Sequence, residues 1–361
     1  MKQLGKGYKR IVVKIGSSLF YSAVNLLDFT IFDDIVRQVI NAIEDAKEIV
    51  IVSSGAIALG MQALGLKERP NKLGDLQAVA AIGQNELMNA YRKVFASTGY
   101  FGAQILLTWE DFVDRKRYLN AKNTILTLLG YHKYRTQRPV PIVNENDTVS
   151  TDEIKFGDND RLSALVAGLI AADLLLILSD VDGLLDKDKK VVPLVGEITP
   201  QIKTLACPTN RKVCVGGMIT KIESAKIAMD SGIPCVIANG RNKGIILSVL
   251  NEPSKHGTLF LPKKGRLAAR ARWMAFSAKP KGKILVDDGA KKALLNNKSL
   301  LSVGVTGLDG NFEAGDIARV VDKQGCELAR GKVSISSKQI DKIKGHRYDK
   351  EVIHRNNMVI L

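Results

Sequence analysis

Cysteine is scarce in this 361-residue sequence, which contains only Cys207, Cys214, Cys235 and Cys326 and no CxxC pair. A disulfide framework needs a denser, paired set, so we expect free thiols and a reducing compartment. The four histidines are scattered without the spacing of a zinc site. The sequence therefore favours neither a disulfide-stabilised domain nor a metal site built from protein side chains.

A membrane-spanning segment is also missing from the sequence. The longest nearly apolar stretch covers residues 162–178, and Asp173 interrupts it. That is shorter than the ~20 residues that a spanning helix needs. The first ten residues, MKQLGKGYKR, lack the apolar core of a signal peptide. We therefore expect a cytoplasmic protein without membrane association, in which 162–178 is a buried helix followed by a buried strand.

Acidic residues are few relative to basic ones, with 37 Asp and Glu against 53 Lys and Arg, a formal net charge of +16. Such an excess favours anionic partners such as phosphates, carboxylates or nucleic acid. Residues 261–361 alone hold 21 basic and 10 acidic residues. This asymmetry predicts two domains, covering residues 1–265 and 275–361.

The first 260 residues alternate short apolar runs with segments of helical spacing, the pattern of an α/β fold. We predict an open, mostly parallel sheet flanked by helices. The expected strands cover residues 10–15, 48–52, 102–107, 140–143, 174–178 and 234–238. The expected helices cover residues 28–46, 56–66, 75–97, 118–130, 159–172, 220–231 and 243–250.

The C-terminal part of the sequence has a different pattern of apolar runs and turn residues. Beyond residue 280, short strand-like runs such as KILVDDG and GDIARVVDKQG are separated by Gly and Asp. Closely spaced strands with turn signals predict a small, mostly antiparallel barrel or sandwich, with one helix near 289–296.

Small and polar residues follow four of the predicted strands, in the segments KIGSS (14–18), SSGA (53–56), NEND (144–147) and SD (179–180). Each segment alone is typical of an ordinary turn. Parallel sheets, however, bind ligands at the carboxyl ends of their strands, so four such segments on one edge favour a ligand site. The known phosphate loops are absent, because Met61-Gln62 stand where a P-loop has Lys-Ser/Thr.

Two further segments precede predicted helices. KFGDNDR (155–161) places two carboxylates around an amide, which indicates either a helix N-cap or a site for a ligand or nearby cation. CVGGMITK (214–221) combines a Gly-Gly turn with a lysine, and a simple turn with a surface lysine is the alternative.

Taken together, these motifs resemble the glutamate 5-kinase branch of the amino acid kinase family, whose members often carry a C-terminal PUA domain. The resemblance covers nearly the whole chain. It rests on the segments VVKIGSS (12–18), IVIVSSGAIALG (49–60), PIVNENDTVSTDEIKFGDNDRLSA (141–164), LLLILSDVDGLL (174–185), GGMITK (216–221), ILVDDGAKKAL (284–294) and SLLSVGVTGLDGNFEAGD (299–316).

The resemblance implies ATP-dependent phosphorylation of the side-chain carboxylate of L-glutamate, the first step of proline biosynthesis. The implied cofactors are ATP and Mg²⁺. The implied partners are a second copy of the chain and a separate reductase that takes over L-glutamyl 5-phosphate. Two alternatives stay open at this point: a relative that phosphorylates another carboxylate, and an RNA-binding regulator with a degenerate kinase domain.

The resemblance also implies roles for individual residues. It implies that Lys14, Lys221 and Asp160 are catalytic, with the aspartate orienting the two lysines. It also implies that Asp147 pairs with the ammonium group of the substrate. The implied nucleotide-binding residues are Lys14, Gly16, Ser17, Ser179, Asp180, Val215, Gly216, Gly217, Met218 and Lys221. The implied glutamate-binding residues are Ser54, Gly55, Ala56, Asn144, Asp147, Asp158 and Asn159.

One segment departs from the family pattern. Cys214-Val215 stand where the family loop commonly has Gly-Thr, so a hydroxyl donor to the nucleotide is lost. The C-terminal part resembles a PUA domain, and its positive charge fits RNA binding. A solvated basic surface or a module that stabilises an oligomer is the alternative.

Overall fold

A computed structural model describes residues 7–21, 28–131, 138–150, 159–206, 217–263 and 280–360. The chain divides into two compact units, with residues 1–111 and 116–266 in the first and 267–361 forming most of the second. The predicted boundary at 265–275 lies outside the described residues, so it stays a prediction.

The first unit is built around an eight-stranded sheet in the order β3-β4-β2-β1-β5-β7-β8-β6. Its pairs are parallel except β7 with β8, which is antiparallel. The strands are β1 (Arg10–Ile15), β2 (Glu48–Ser53), β3 (Tyr100–Leu107), β4 (Arg138–Glu145), β5 (Leu174–Ser179), β6 (Leu194–Val195), β7 (Cys235–Asn239) and β8 (Thr258–Phe260).

Helices follow most of these strands, as a parallel sheet requires. The helices are α1 (Thr30–Glu44), α2 (Ala56–Ala63), α3 (Leu73–Phe95), α4 (Trp109–Val113), α5 (Arg115–Gly130), α6 (Asn159–Ile170), α7 (Pro200–Ala206), α8 (Met218–Asp230) and α9 (Ile245–Asn251). A short 3-10 turn, Ser17–Phe20, lies directly after β1.

The central strands are buried because both sheet faces are covered. In β1 and β2 only the first residue is partly exposed, and every residue of β5 is buried. This explains why their sequences are continuous apolar runs rather than alternating ones. The predicted α/β fold is confirmed, and residues 162–178 do run from a buried helix into a buried strand. Within the part of the chain that the structure describes, no helix combines the length and the hydropathy of a bilayer-spanning segment.

The second unit contains a five-stranded sheet in the order β10-β9-β11-β12-β13. Its pairs are antiparallel except β9 with β11. The strands are β9 (Gly282–Val286), β10 (Val305–Asp309), β11 (Ile317–Val321), β12 (Glu327–Lys332) and β13 (Met358–Ile360), with helices Asp288–Leu295 and Ser337–Ile343.

The sequence predicted the first of these helices and missed the second. Helix 337–343 begins with a capping box, in which the Ser336 hydroxyl accepts from the Gln339 amide and the Gln339 side chain accepts from the Ser336 amide. This reciprocal pair satisfies two amides that a helix start leaves free, and it was readable from the Ser-x-x-Gln spacing.

Candidate active site

The four polar segments singled out in the sequence lie at one edge of the first sheet. The strands that precede them, β4, β2, β1 and β5, are consecutive and parallel, so their carboxyl ends face the same way. Backbone hydrogen bonds join the segments: the Gly16 amide donates to the Leu178 carbonyl at 3.0 Å, and the Ser54 amide donates to the Ile15 carbonyl at 3.1 Å. The sheet therefore brings together residues that are far apart in the chain.

A buried carboxylate between two lysines forms the centre of the site. Asp160, at the start of α6, places Oδ1 2.6 Å from Lys14 Nζ and Oδ2 3.1 Å from Lys221 Nζ. Lys14 comes from β1 and Lys221 from α8, so three elements supply the three charges. The Thr220 hydroxyl donates to Oδ2 at 2.9 Å. All three charged residues are at most 8% exposed.

The electrostatics of this cluster favour an incoming anion. Burial by itself raises the pKa of Asp160, but the ammonium groups of Lys14 and Lys221 outweigh it and lower the pKa to about 2. Asp160 is therefore ionised at neutral pH and lies as one negative charge between two lysines. A phosphate or carboxylate at this position would give the two ammonium groups a further anionic partner.

The candidate nucleotide side of the site is built on the ends of β5 and β1. The hydroxyls of Ser179 and Ser18 both donate to Asp180 Oδ1, at 3.0 and 3.1 Å. Burial opposes ionisation of Asp180, but these hydrogen bonds and the charge of Lys221 lower its pKa overall. Ser18 belongs to the KIGSS segment but had no predicted role, and the structure gives it one as a partner of Asp180.

Gly217 and Met218 lie at the start of α8, where Gly217 is the N-cap with a φ of +77°. A glycine cap offers no side-chain acceptor, so the first amide groups of a 13-residue helix are open to an anion. Gly16 and Ser17 occupy the turn after β1. Val215 and Gly216 lie outside the described residues, and their roles stay predictions.

Arg241 is a residue of this region that the sequence did not reveal. Its guanidinium donates to the backbone carbonyls of Ser18 at 3.0 Å and Tyr21 at 2.8 Å. Arg241 follows β7, and its two hydrogen bonds stabilise a turn that lies more than 200 positions earlier in the chain. Nothing local in the sequence signals such a contact, because it depends on the packing of two distant loops.

The candidate substrate side lies at the ends of β2 and β4 and the start of α6. Ser54 is buried, and Gly55 and Ala56 begin α2, whose N-terminus favours a carboxylate. Asn144 is 1% exposed, and its Nδ2 donates to Gln84 Oε1 at 2.7 Å. Asn159 Oδ1 is buried and has no hydrogen-bond partner among the described residues. An unpaired buried acceptor is suited to a donor on a ligand.

Asp147 lies in the turn after β4, and the pKa of its carboxyl group is unusually high. Burial raises its pKa to about 6, and the charge of Arg69 opposes that rise only in part. A partly buried carboxylate of this kind gains from pairing with a ligand cation such as an ammonium group. Asp158, the remaining member of the predicted substrate set, lies outside the described residues.

Gly55, the N-cap of α2, has a backbone conformation that side chains rarely adopt. Its φ is +110°, and an added Cβ would lie 2.9 Å from the Phe20 ring. We expect Gly55→Ala to lower the free energy of unfolding by about 2 kcal/mol or more, because left-handed strain and a clash add together. Urea denaturation measures this. The control Gly74→Ala meets open space in α3 and should be neutral or stabilising by up to about 1 kcal/mol. Equal destabilisation of both variants would contradict the account.

Comparison with known proteins connects this geometry to a family. The amino acid kinase family model matches residues 9–239, and the PUA domain model matches residues 282–355. Three relatives, each called glutamate 5-kinase, align over 98% of this chain and 98% of their own length. They come from Thermoanaerobacter sp. strain X514 at 44% identity, Caldanaerobacter subterraneus subsp. tengcongensis at 45% and Geobacter sulfurreducens at 43%.

Proposed function

The chain belongs to the amino acid kinase family, and from this membership we infer that it transfers the γ-phosphoryl group of ATP to the side-chain carboxylate of L-glutamate. The products are L-glutamyl 5-phosphate and ADP, and the reaction begins proline biosynthesis. The relatives named glutamate 5-kinase match the chain along its whole length, which favours this function over a kinase for another carboxylate.

The observation that carries the mechanism is the buried Lys14–Asp160–Lys221 cluster. The γ-carboxylate of glutamate ordinarily has a pKa of ~4.3, so it is already ionised at neutral pH and needs no general base. The difficulty is to bring this anion against an anionic phosphate and to stabilise the charge during in-line transfer. We propose that Lys14 and Lys221 contact the transferred group, and that Asp160 holds both ammonium groups in place.

The remaining residues divide between the two reactants. We propose that Gly16, Ser17, Ser179, Asp180 and residues 215–218 hold the nucleotide, with the amides at the start of α8 donating to phosphate oxygens. Asp180 is ionised and exposed to solvent. Mg²⁺ prefers oxygen ligands and keeps several waters, so the Asp180 carboxylate would accept a hydrogen bond from a water on a nucleotide-bound Mg²⁺. When bound, Mg²⁺ supplies charge neutralisation on the phosphates. Ser54, Gly55, Ala56, Asn144, Asp147, Asp158 and Asn159 would hold glutamate.

An acceptor test decides the reaction. Purified protein with ATP and Mg²⁺ is assayed for ADP release with L-glutamate, L-aspartate or N-acetyl-L-glutamate as the acceptor. Glutamate-dependent ADP release that exceeds the other two is expected. Equal or greater ADP release with another acceptor would mean that glutamate is not the preferred substrate.

The partners of the reaction are also proposals. An acyl phosphate is reactive, so we propose that a separate reductase consumes it, and that both enzymes are cytoplasmic. We propose further that the chain forms a homo-oligomer. Edge strand β3 supports this, because Phe101 on it is 45% exposed beside a cavity of about 320 Å³ between α3 and β3.

A groove in the second unit favours RNA binding as an additional function. The groove has a volume of about 750 Å³, and Leu301 and Val303, each 48% exposed, lie in it beside the basic side chains of Lys298 and Arg355. Two carboxylates, Asp287 and Glu351, also line it. Apolar surface beside cations suits a nucleotide base and its phosphates. The match of this unit to the PUA domain supports the same proposal.

A gel-shift series across salt concentrations tests RNA binding. Lys298→Glu combined with Arg355→Glu should weaken RNA binding at least about tenfold, because two phosphate contacts are replaced by repulsion. The matched control reverses two exposed lysines of helix 337–343, in the double variant Lys338→Glu with Lys342→Glu. An equal loss in both double variants would show general electrostatic attraction instead of a site in the groove.

A further inference from the structure

The side-chain amide of Gln84, on α3, has a fixed orientation. Asn144 Oδ1 accepts from the Glu145 backbone amide at 2.9 Å, so the other polar atom of the Asn144 side chain is the donor Nδ2. Nδ2 donates to Gln84 at 2.7 Å. Gln84 must therefore present its oxygen, Oε1, to Asn144 and turn its Nε2 group away.

Gln84 Nε2 is buried and has no hydrogen-bond partner among the described residues. A buried donor without an acceptor is costly, and such groups are rare in folded proteins. The donor gains its missing hydrogen bond when a ligand acceptor occupies the space beside it. Its hydrogen bond with Asn144 uses only the oxygen of the Gln84 side chain, so the Nε2 group is left for a ligand.

The position of Gln84 relative to the sheet edge suggests which acceptor that is. The preceding residue, Gly83, lies directly against the start of α2, where an added Cβ would overlap the Ala56 carbonyl oxygen. Gln84 thus lies next to Asn144 and close to Ala56, two residues proposed to hold glutamate. β4, which carries Asn144, is two strands away from β1, which carries Lys14. With strands ~4.8 Å apart, that separation is about 10 Å.

The chemistry of glutamate leaves one acceptor for Gln84. The γ-carboxylate belongs beside Lys14 and Lys221, where the phosphoryl group transfers. The α-ammonium group is a donor and suits the acceptors Asp147 and Asn159 Oδ1. We propose that Gln84 determines substrate specificity by donating from Nε2 to the α-carboxylate of glutamate, and this proposal rests on the proposed function.

The test compares L-glutamate with its α-amide, L-isoglutamine, which keeps the γ-carboxylate but replaces the α-carboxylate by a neutral carboxamide. Wild-type protein should prefer glutamate about tenfold in kcat/KM, because the carboxamide oxygen still accepts from Nε2 but a hydrogen bond to a charged group is stronger than one to a neutral group. Gln84→Leu should raise the glutamate KM about 10- to 100-fold while kcat changes little, and it should raise the isoglutamine KM by a smaller factor, because the neutral hydrogen bond that is removed there is weaker.

Gln84→Glu sharpens the test, because it keeps an oxygen for Asn144 and places a second acceptor where Nε2 was. This variant should lose glutamate activity further and gain relative preference for isoglutamine, whose amide is able to donate to the new carboxylate. Asn85→Leu, on the exposed face of the same helix, is the matched control and should leave both substrates unchanged.

Three results would overturn the proposal. The first is equal use of both substrates by the wild-type protein, a result that needs no variant. The second is an unchanged glutamate KM in Gln84→Leu, and the third is an equal loss for both substrates, which would mean that Gln84 acts only by positioning Asn144. Failure of the proposed function looks different, because the wild-type protein would then release no ADP with glutamate.

Discussion

Lys221→Ala is expected to lower kcat by about 10²- to 10³-fold while the KM values for ATP and glutamate change by only a few-fold. Lys221 lies 3.1 Å from Asp160, on the opposite carboxylate oxygen from Lys14, in a site that excludes most solvent. Removing one preorganised donor from such a site costs ~10²–10³ in rate, because the interaction forms most strongly in the transition state. Steady-state kinetics with each substrate varied in turn measure the effect.

Helix α8 contains a matched control for this variant. Lys226 lies on the same helix but is exposed, and its ammonium pairs with Asp230 one turn further along. Lys226→Ala should keep the wild-type kcat, because exposed pairs of this kind contribute little. If Lys221→Ala instead raised the ATP KM at an unchanged kcat, Lys221 would be a ground-state binding residue and the proposed transition-state role would be wrong.

Asp147→Asn is expected to raise the glutamate KM about 100-fold, with a small effect on the ATP KM. The substitution keeps the shape of the side chain and removes the charge that we propose pairs with the substrate ammonium. Losing one member of a desolvated charge pair typically costs ~2–5 kcal/mol, and a 100-fold change corresponds to about 2.8 kcal/mol, which lies within that range. Asp75 is an exposed acidic residue in the first turn of α3. The control variant Asp75→Asn should have no effect.

The pH dependence of the glutamate KM tests the same residue independently. Burial raises the pKa of Asp147 to about 6, so the folded protein binds this proton more tightly than the unfolded chain does. The group therefore favours folding at low pH, and that contribution is lost as pH rises through about 6. Substrate binding has the opposite dependence, because the ammonium group needs the ionised carboxylate.

The wild-type glutamate KM should consequently rise as pH falls below about 6, approaching tenfold per pH unit. Asp147→Asn should show no such rise in this range. A rise of equal size in the variant would show that another group titrates, and the assignment of Asp147 to the ammonium would fail.

The sequence was sufficient to predict six of the eight strands of the first sheet, because the central strands are buried on both faces, and it missed the short strands β6 and β8. Runs such as residues 174–179 have no polar positions except at the end, where the strand meets the site. That same feature predicted the edge at which the site lies, since parallel strands must end together. The positions of Lys14, Asp160 and Lys221 agree with the roles inferred by resemblance, although those roles are still to be tested.

Contacts that depend on the packing of distant segments could not be predicted from the sequence. Gln84 and Asn144 are 60 positions apart, and Arg241 and Ser18 are 223 apart. Neither Gln84 nor Arg241 belongs to a motif, and a glutamine on a helix face is ordinary until the opposing atom is known. Thr220 lies within the GGMITK segment, but only its hydrogen bond to Asp160 gives it a role.

The most direct test of the proposed reaction is to trap its product. Protein, ATP, Mg²⁺ and L-glutamate are incubated with hydroxylamine, which converts an acyl phosphate into a stable hydroxamate, and ADP is measured in the same samples. We expect glutamyl hydroxamate and ADP in equal amounts, with neither formed when glutamate is omitted. ADP without hydroxamate, or no turnover by folded protein, would contradict the assignment of glutamate as the phosphoryl acceptor.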